Sequence, residues 1–233
     1  LIAIYKSPKI SQMKSQTKSQ TRPPADTQPR AQAIARYDAP HQFEPLMPSE
    51  SVLGPLLERA SDLSRAATQL GSAAAPAAVG EMRSLLRSMN SYYTNRIEGE
   101  HTRPSDIERA LQQDFSANLD LARKQRLALA HIQTEAACEA ELQARAADNF
   151  NGTGDSNTAA AALPWLYSAE ALCWLHRHLF QALPAADLAL AGGGQLFPGQ
   201  LRQAEVAVGR HEAPTFASLP AFIARWAQVY GGV

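Results

Sequence analysis

The chain has 233 residues, 22 Lys+Arg against 22 Asp+Glu, and a hydrophobic fraction of 45%. A formal charge of zero leaves no global field to recruit nucleic acid or an anionic membrane, so neither a membrane nor a specific nucleic acid is an expected partner. No apolar run approaches the roughly 18 residues that a membrane span needs. The length suffices for one substantial core, with or without a small appendage. Cys138 and Cys173 each fall inside a helical pattern without metal-ligand spacing, which fits a reducing, cytoplasmic setting rather than a disulfide framework.

Residues 1–36 read as a disordered tail. Seven basic residues between Lys6 and Arg36 face only Asp26, and nothing apolar repeats that could offset the entropy of ordering. The rival reading, a basic arm for an anionic surface, lacks the interleaved aromatics such arms use. Residues 37–48 carry prolines together with His41 and Phe43, and read as an extended surface segment packed on the core. Val52, Leu53, Leu56, Leu57, Ala60 and Leu63 set a helical period from about 51 to 70. The Ala/Pro/Gly stretch 72–80 reads as a linker.

A helix follows over 81–98, with Met82, Leu85, Leu86, Met89, Tyr93 and Ile97 on one stripe. Arg83, Arg87, Asn90, Thr94 and Glu98 lie on the other face. Gly99 suits the left-handed residue that ends a helix. Glu98 sits in the last turn, where the helix dipole disfavours a carboxylate by ~0.3–1 kcal/mol. It is either solvated there or held for an outside cation. The stripe is expected to face the core.

Ser105-x-x-Glu108 reads as a capping box before a helix with Ile107, Leu111 and Phe115. A long helical pattern occupies 117–147. Arg123, Lys124 and Arg126 cluster on it as a solvated face, and His131 reads as a core or edge histidine. The polar loop 148–158 has glycines but no preceding strand and no Gly-Lys-Ser/Thr, so it is no phosphate loop. In the helix 169–183, His176 and His178 are two apart and point different ways, which argues against a shared metal. A turn-rich passage at 192–199 leads to a strand at 205–209 that contains Val206 and Val208. Ser218 is placed to cap a final helix with Leu219, Phe222, Ile223, Trp226 and Val229 on one stripe. The fold class is mainly α with one β-hairpin.

Thr94-x-x-x-Glu98-Gly99 resembles the inhibitory-helix motif, (Ser/Thr)-x-x-x-Glu-(Gly/Asn), of Fic-family (filamentation-induced-by-cAMP, Fic/DOC) proteins. His176-Arg177 resembles the helix that precedes the Fic flap. Gly199-Gln-Leu-Arg202 resembles the flap start, Gly-x-(Phe/Tyr)-Arg, with leucine for the aromatic. The likeness runs in order over about 41–233. It implies a Fic-like helical bundle divided into the tail, an N-terminal region over 37–115 with the inhibitory helix 81–99, and the first part of the core over 116–233 with the flap at 197–210. It implies a regulatory role for Thr94, Glu98 and Gly99, and target docking by Gly199, Arg202, Val206 and Val208 through strand pairing.

The activity implied is AMP transfer from ATP, with Mg, to a Ser, Thr or Tyr hydroxyl of a target protein, restrained by Glu98. That chemistry rests on His-x-Phe-x-(Asp/Glu)-Gly-Asn-Gly-Arg, which these 233 residues do not contain. The expectation is therefore a chain cut before its catalytic loop, inactive alone and binding neither ATP nor Mg. The alternative is a non-catalytic helical protein that donates the Glu98 helix to a separate Fic partner. An unrelated helical regulator is the third reading, against which the ordered succession of features stands. Two structural expectations follow. Glu98 should face a groove beside the Val206–Val208 hairpin, and the uncovered apolar surface should lie on the 117–147 and 169–183 stripes.

Overall fold

The computed structural model describes residues 37–44, 48–73, 75–153, 164–190, 193–208 and 211–231. The tail 1–36 and residues 154–158 of the polar loop lie outside the described residues. The architecture is mainly α. Its principal helices are α1 (Glu50–Ala73), α2 (Pro76–Ile97), α3 (Pro104–Leu111), α4 (Leu119–Thr153), α5 (Ala169–Phe180) and α6 (Leu219–Tyr230). A two-residue antiparallel pairing joins β1 (Ala207–Val208) to β2 (His211–Glu212), with Ala207 opposite Glu212 and Val208 opposite His211. No helix among the described residues is long and apolar enough to cross a membrane.

The body is built on α4, against which α2, α3 and α5 all pack. Its apolar core joins Leu127 and Ala130 of α4 to Leu179 and Phe180 of α5. Leu188 and Leu196 close it from the following segment, with Leu183 and Leu190 at its edge. Each such large side chain contributes roughly 1.5–3 kcal/mol by leaving water. Gln125 of α4 is fully buried and acts as a polar rivet. Its Oε1 accepts from the Ser116 N–H at 2.8 Å, and its Nε2 donates to the Asp106 carbonyl at 2.9 Å. Arg126 donates to both Asp187 oxygens at 2.6 and 3.0 Å, tying the turn at 185–188 to α4.

Several predicted boundaries move, each for a local reason. The stretch 72–80 is no linker: α1 continues to Ala73 and α2 starts at Pro76, because proline suits the first helical position and the alanines that follow favour helix. Pro104 likewise takes the first position of α3, so the reciprocal cap runs from the Arg103 N–H to Asp106 Oδ2 at 3.0 Å and not through Ser105. Residues 148–153 belong to α4 rather than to a loop. The N-terminus of α5 is capped by Ser168, whose Oγ accepts from the Ala171 N–H at 3.0 Å, and the helix ends at Phe180. Ser218 makes no side-chain cap for α6. Its Oγ turns to the Thr215 carbonyl at 3.0 Å.

The segment expected to be extended and packed on the core lies, over its described residues 37–44, against the C-terminal region and holds a 3-10 turn at Pro40–Phe43. The Tyr37 carbonyl accepts from the Thr215 N–H at 2.8 Å, and Glu44 pairs with Arg225 at 2.9 Å. The cluster Arg123, Lys124 and Arg126 is no free basic face: the three pair with Glu100, Asp120 and Asp187.

The largest departure concerns α2. Its apolar stripe points outward, with Met82, Leu85, Leu86, Met89 and Tyr93 exposed and Ile97 at 83% exposure. The helix sits on α4 by its polar side instead. Ser91, at 0% exposure, donates to the Ala128 carbonyl at 2.9 Å, and Asn90 donates to Glu135 at 3.0 Å. Arg83 and Arg87 both reach Glu139, the former at 2.7 Å. The facing side of α4 offers carboxylates and a small-residue carbonyl, and these select the polar face. The stripes of α4 and α5 are buried or half-buried apart from Leu119 at 84% exposure, so among the described residues most of the open apolar surface lies on α1 and α2, not where expected. Every described residue of α1 is exposed.

Candidate functional site

The C-terminal turn of α2 sets the site. Gly99 adopts φ +76°, a conformation costly for residues with a Cβ. Its N–H bonds the Arg96 carbonyl at 3.0 Å, and the Glu100 N–H bonds the Asn95 carbonyl at 2.7 Å. These two bonds are the pair that closes a Schellman-type helix end. Glu100 is buried at 5% exposure and receives both ends of the Arg123 guanidinium, at 3.1 and 2.7 Å. That hydrogen bonding is the main cause that holds the Arg123 pKa above its ordinary value. Glu100, just beyond the helix, thereby anchors the end of α2 to α4.

With α2 so fixed, Thr94 and Glu98, one turn apart, line a cavity of about 290 Å³. α4 contributes His131, Thr134, Glu135 and Cys138, and α5 contributes Leu175, His176, Leu179 and Phe180. The α4 residues fall at i, i+3, i+4 and i+7, which is one helix face. That spacing is present in the sequence, where His131 taken alone reads as a core or edge histidine. Thr134 is buried at 9% exposure, and neither its Oγ1 nor His131 Nδ1 has a hydrogen-bond partner among the described residues. Burial holds the pKa values of both His131 and His176 below 6.5. Burial also pushes the Cys138 thiol pKa up, seconded by Glu141 and Glu135.

The residues predicted for target docking lie elsewhere. Val206 lines a second cavity of about 390 Å³ with Glu205, Ala207, Glu212, Ala213 and Thr215. Arg202 Nη1 donates to the Ala204 carbonyl at 2.7 Å and Nη2 to the Pro214 carbonyl, so it braces the turn on both sides of the hairpin. Val208 is the partner of His211 in that pairing. None of these residues lines the Glu98 cavity. Gly199 meets the wall of the first cavity: its N–H donates to His176 Nδ1 at 2.7 Å, which assigns the proton of the neutral imidazole to Nε2. A Cβ on Gly199, at φ +79°, would meet Arg177 Nε at 2.8 Å.

Among the described residues no group of three or more His, Cys, Asp or Glu is placed to hold a metal ion. ATP does not fit the lining of the first cavity either. Its charged groups are the carboxylates of Glu98 and Glu135, and no lysine or arginine lines it, so a triphosphate would meet repulsion rather than compensation. The lining suits a cation flanked by apolar groups. Compared with known proteins, the chain matches no family model, no curated protein and no solved structure.

Proposed function

We propose that this chain is the regulatory and target-docking part of a Fic-type AMP transferase, a Fic-like bundle in which Glu98 is the restraining residue. The observation that carries the reading is the placement of Thr94 and Glu98 together on the wall of one cavity. In that cavity Glu98 would pair with an arginine of a catalytic segment, and the nucleotide would be shut out while the pair holds. Thr94, one turn earlier, would hydrogen-bond within the same site. The hairpin at Val206–Val208 would present its edge to an extended target segment carrying the Ser, Thr or Tyr hydroxyl. Gly199, hydrogen-bonded to the cavity wall, would couple the two places. ATP and Mg would be held by the residues of the catalytic segment, which these 233 residues do not supply.

The alternative, donation of the Glu98 helix to a separate Fic partner, is disfavoured by the anchoring of that helix. Ser91, Asn90 and Glu100 tie α2 to α4 of its own chain. A helix so held serves a site in its own molecule.

Transfer from labelled ATP tests the reading. The 233-residue chain should give no transfer with or without Glu98→Gly, since removal of a general base alone typically costs ~10²–10⁴-fold. Continued through a His-x-Phe-x-Glu-Gly-Asn-Gly-Arg segment, the chain should label weakly, and Glu98→Gly should raise labelling. Transfer by the 233-residue chain would place the nucleotide site elsewhere. No rise with Glu98→Gly in the continued chain would remove the restraining role.

A further inference from the structure

A helix of 24 residues without a buried side chain has little to hold it in water, because most helical stability comes from packing an apolar face. In α1 that face is regular. Leu56, Leu63 and Leu70 recur every seven residues, the spacing of a coiled-coil seam, at 46, 71 and 65% exposure. Val52, Leu53 and Leu57 widen the stripe and are also exposed. The outward stripe of α2 is its match in length: Leu56–Leu70 and Met82–Ile97 each span about 21–23 Å at 1.5 Å per residue.

We infer that these two stripes are an interface between two copies of this chain, with α1 of each copy covering the α2 stripe of the other. Three observations favour a second copy. The first is charge. α1 carries Glu50, Glu58 and Asp62 against Arg59 and Arg65, a balance of −1, whereas α2, once Arg83 and Arg87 are paired with Glu139 of α4, is left with Glu81 against Arg96, a balance of zero. Contact between α1 and α2 therefore sets no like net charges together, whereas contact between two α1 helices does.

The second is connection. Only Ala74 and Ala75 separate the helices, without the glycine that a reversal between helices commonly uses. Pro76 opens α2, and Ala75 before it is extended at ψ 141°. A close fold-back within one chain is thereby disfavoured. The third is area. Covering both stripes in both copies removes about 1,200 Å² from water, counting roughly half a side chain's transfer area at each position, and this reaches the lower bound for a specific complex. A two-fold arrangement gives each contact twice, so one substitution weakens both. The inference stands apart from the AMP-transfer reading, since Glu98 and its cavity lie on the other face of α2.

The test is the mass of the full chain by light scattering across a concentration series, for the chain and two variants. One variant carries Leu56→Lys with Leu63→Lys on α1; the other carries Leu85→Lys with Met89→Lys on α2. All four positions are exposed, so circular dichroism melting should show the α3–α4–α5 body intact in both. The chain should be a dimer, and each variant alone should dissociate at least about tenfold more readily, a loss of about 1.4 kcal/mol or more. Mixing the two variants should restore dimers, because the mixed pair keeps one contact between two unaltered stripes. A monomer at about 100 µM, where even micromolar association would be nearly complete, overturns the inference. So does a dimer indifferent to both variants, or a mixture that fails to recover, as pairing of α1 with α1 would give.

Discussion

The two faces of α2 meet different surroundings. Its polar face is seated on α4 through Ser91, Asn90, Arg83 and Arg87 and locked beyond Gly99 by the Glu100–Arg123 pair. Its apolar stripe, like all of described α1, is offered to solvent. Amphipathicity alone therefore does not say which face a helix buries. The partner's surface decides, and α4 presents Glu135, Glu139 and the Ala128 carbonyl. The outcome has a functional edge: seating the polar face is what turns Thr94 and Glu98 into a shared cavity.

The sharpest way to break this contrast is to cut one leucine from each region. Leu179→Ala, in the core beside Leu127 and Phe180, should cost about 2–5 kcal/mol in denaturant unfolding, since it removes transfer energy and leaves a hole. Leu63→Ala, on the open face of α1, should change the unfolding of the dilute monomer by less than about 0.5 kcal/mol. Equal losses at the two positions would mean that α1 is packed in the monomer.

A smaller effect should follow from Glu100→Ala. Arg123 would keep only its 3.4 Å contact with Asp120. Removing one member of a buried pair typically costs 3–5 kcal/mol; because Arg123 keeps part of its surface in water, about 2 kcal/mol is expected. Hydrogen exchange at the amides of Glu98, Gly99 and Glu100 should rise more than at α4. A uniform rise over the body would show that Glu100 supports the fold generally and not the end of α2.

How much of this was legible follows from the range of the forces involved. Thr94, Glu98 and Gly99 could be placed from local spacing and one glycine, because helix ends are written in neighbouring residues. The seat of α2 could not, because Ser91 meets Ala128 37 residues away and the apolar stripe beside it carried the stronger signal. Glu100 was hidden similarly, its partner lying 23 residues on. The face formed by His131, Thr134, Glu135 and Cys138 was readable from helical spacing alone, but its meaning depends on α2 and α5 closing over it. The expectation that Glu98 faces a groove beside the Val206–Val208 pair is not met: Glu98 and Val206 line two different cavities.

The smallest of the expected effects is a pH dependence. Burial holds His131 and His176 below 6.5, so the unfolded chain binds more protons than the folded one as pH falls past that value. Their contribution to stability is complete above about 6.5 and is lost as pH falls through their folded values. Glu135 faces His131 and opposes its shift. Asp120 and Asp114 have depressed pKa values and act in the same direction, but only in more acidic solution. His131→Gln should therefore flatten part of the decline in stability between pH 7 and 5. An unchanged slope would mean that His131 titrates as it does in the unfolded chain.

The position of Glu98 depends on which face of α2 looks at α4, and a thiol bridge reads that directly. With Cys173→Ser leaving Cys138 as the sole native thiol, Glu98→Cys and Ile97→Cys are treated separately with a short bis-maleimide at low protein concentration. Glu98 shares the cavity with Cys138, whereas Ile97 points into solvent. Intramolecular bridging should be rapid for Glu98→Cys and absent or slow for Ile97→Cys. Bridging through position 97 but not 98 would mean that the apolar stripe faces inward, and would take Glu98 out of the site.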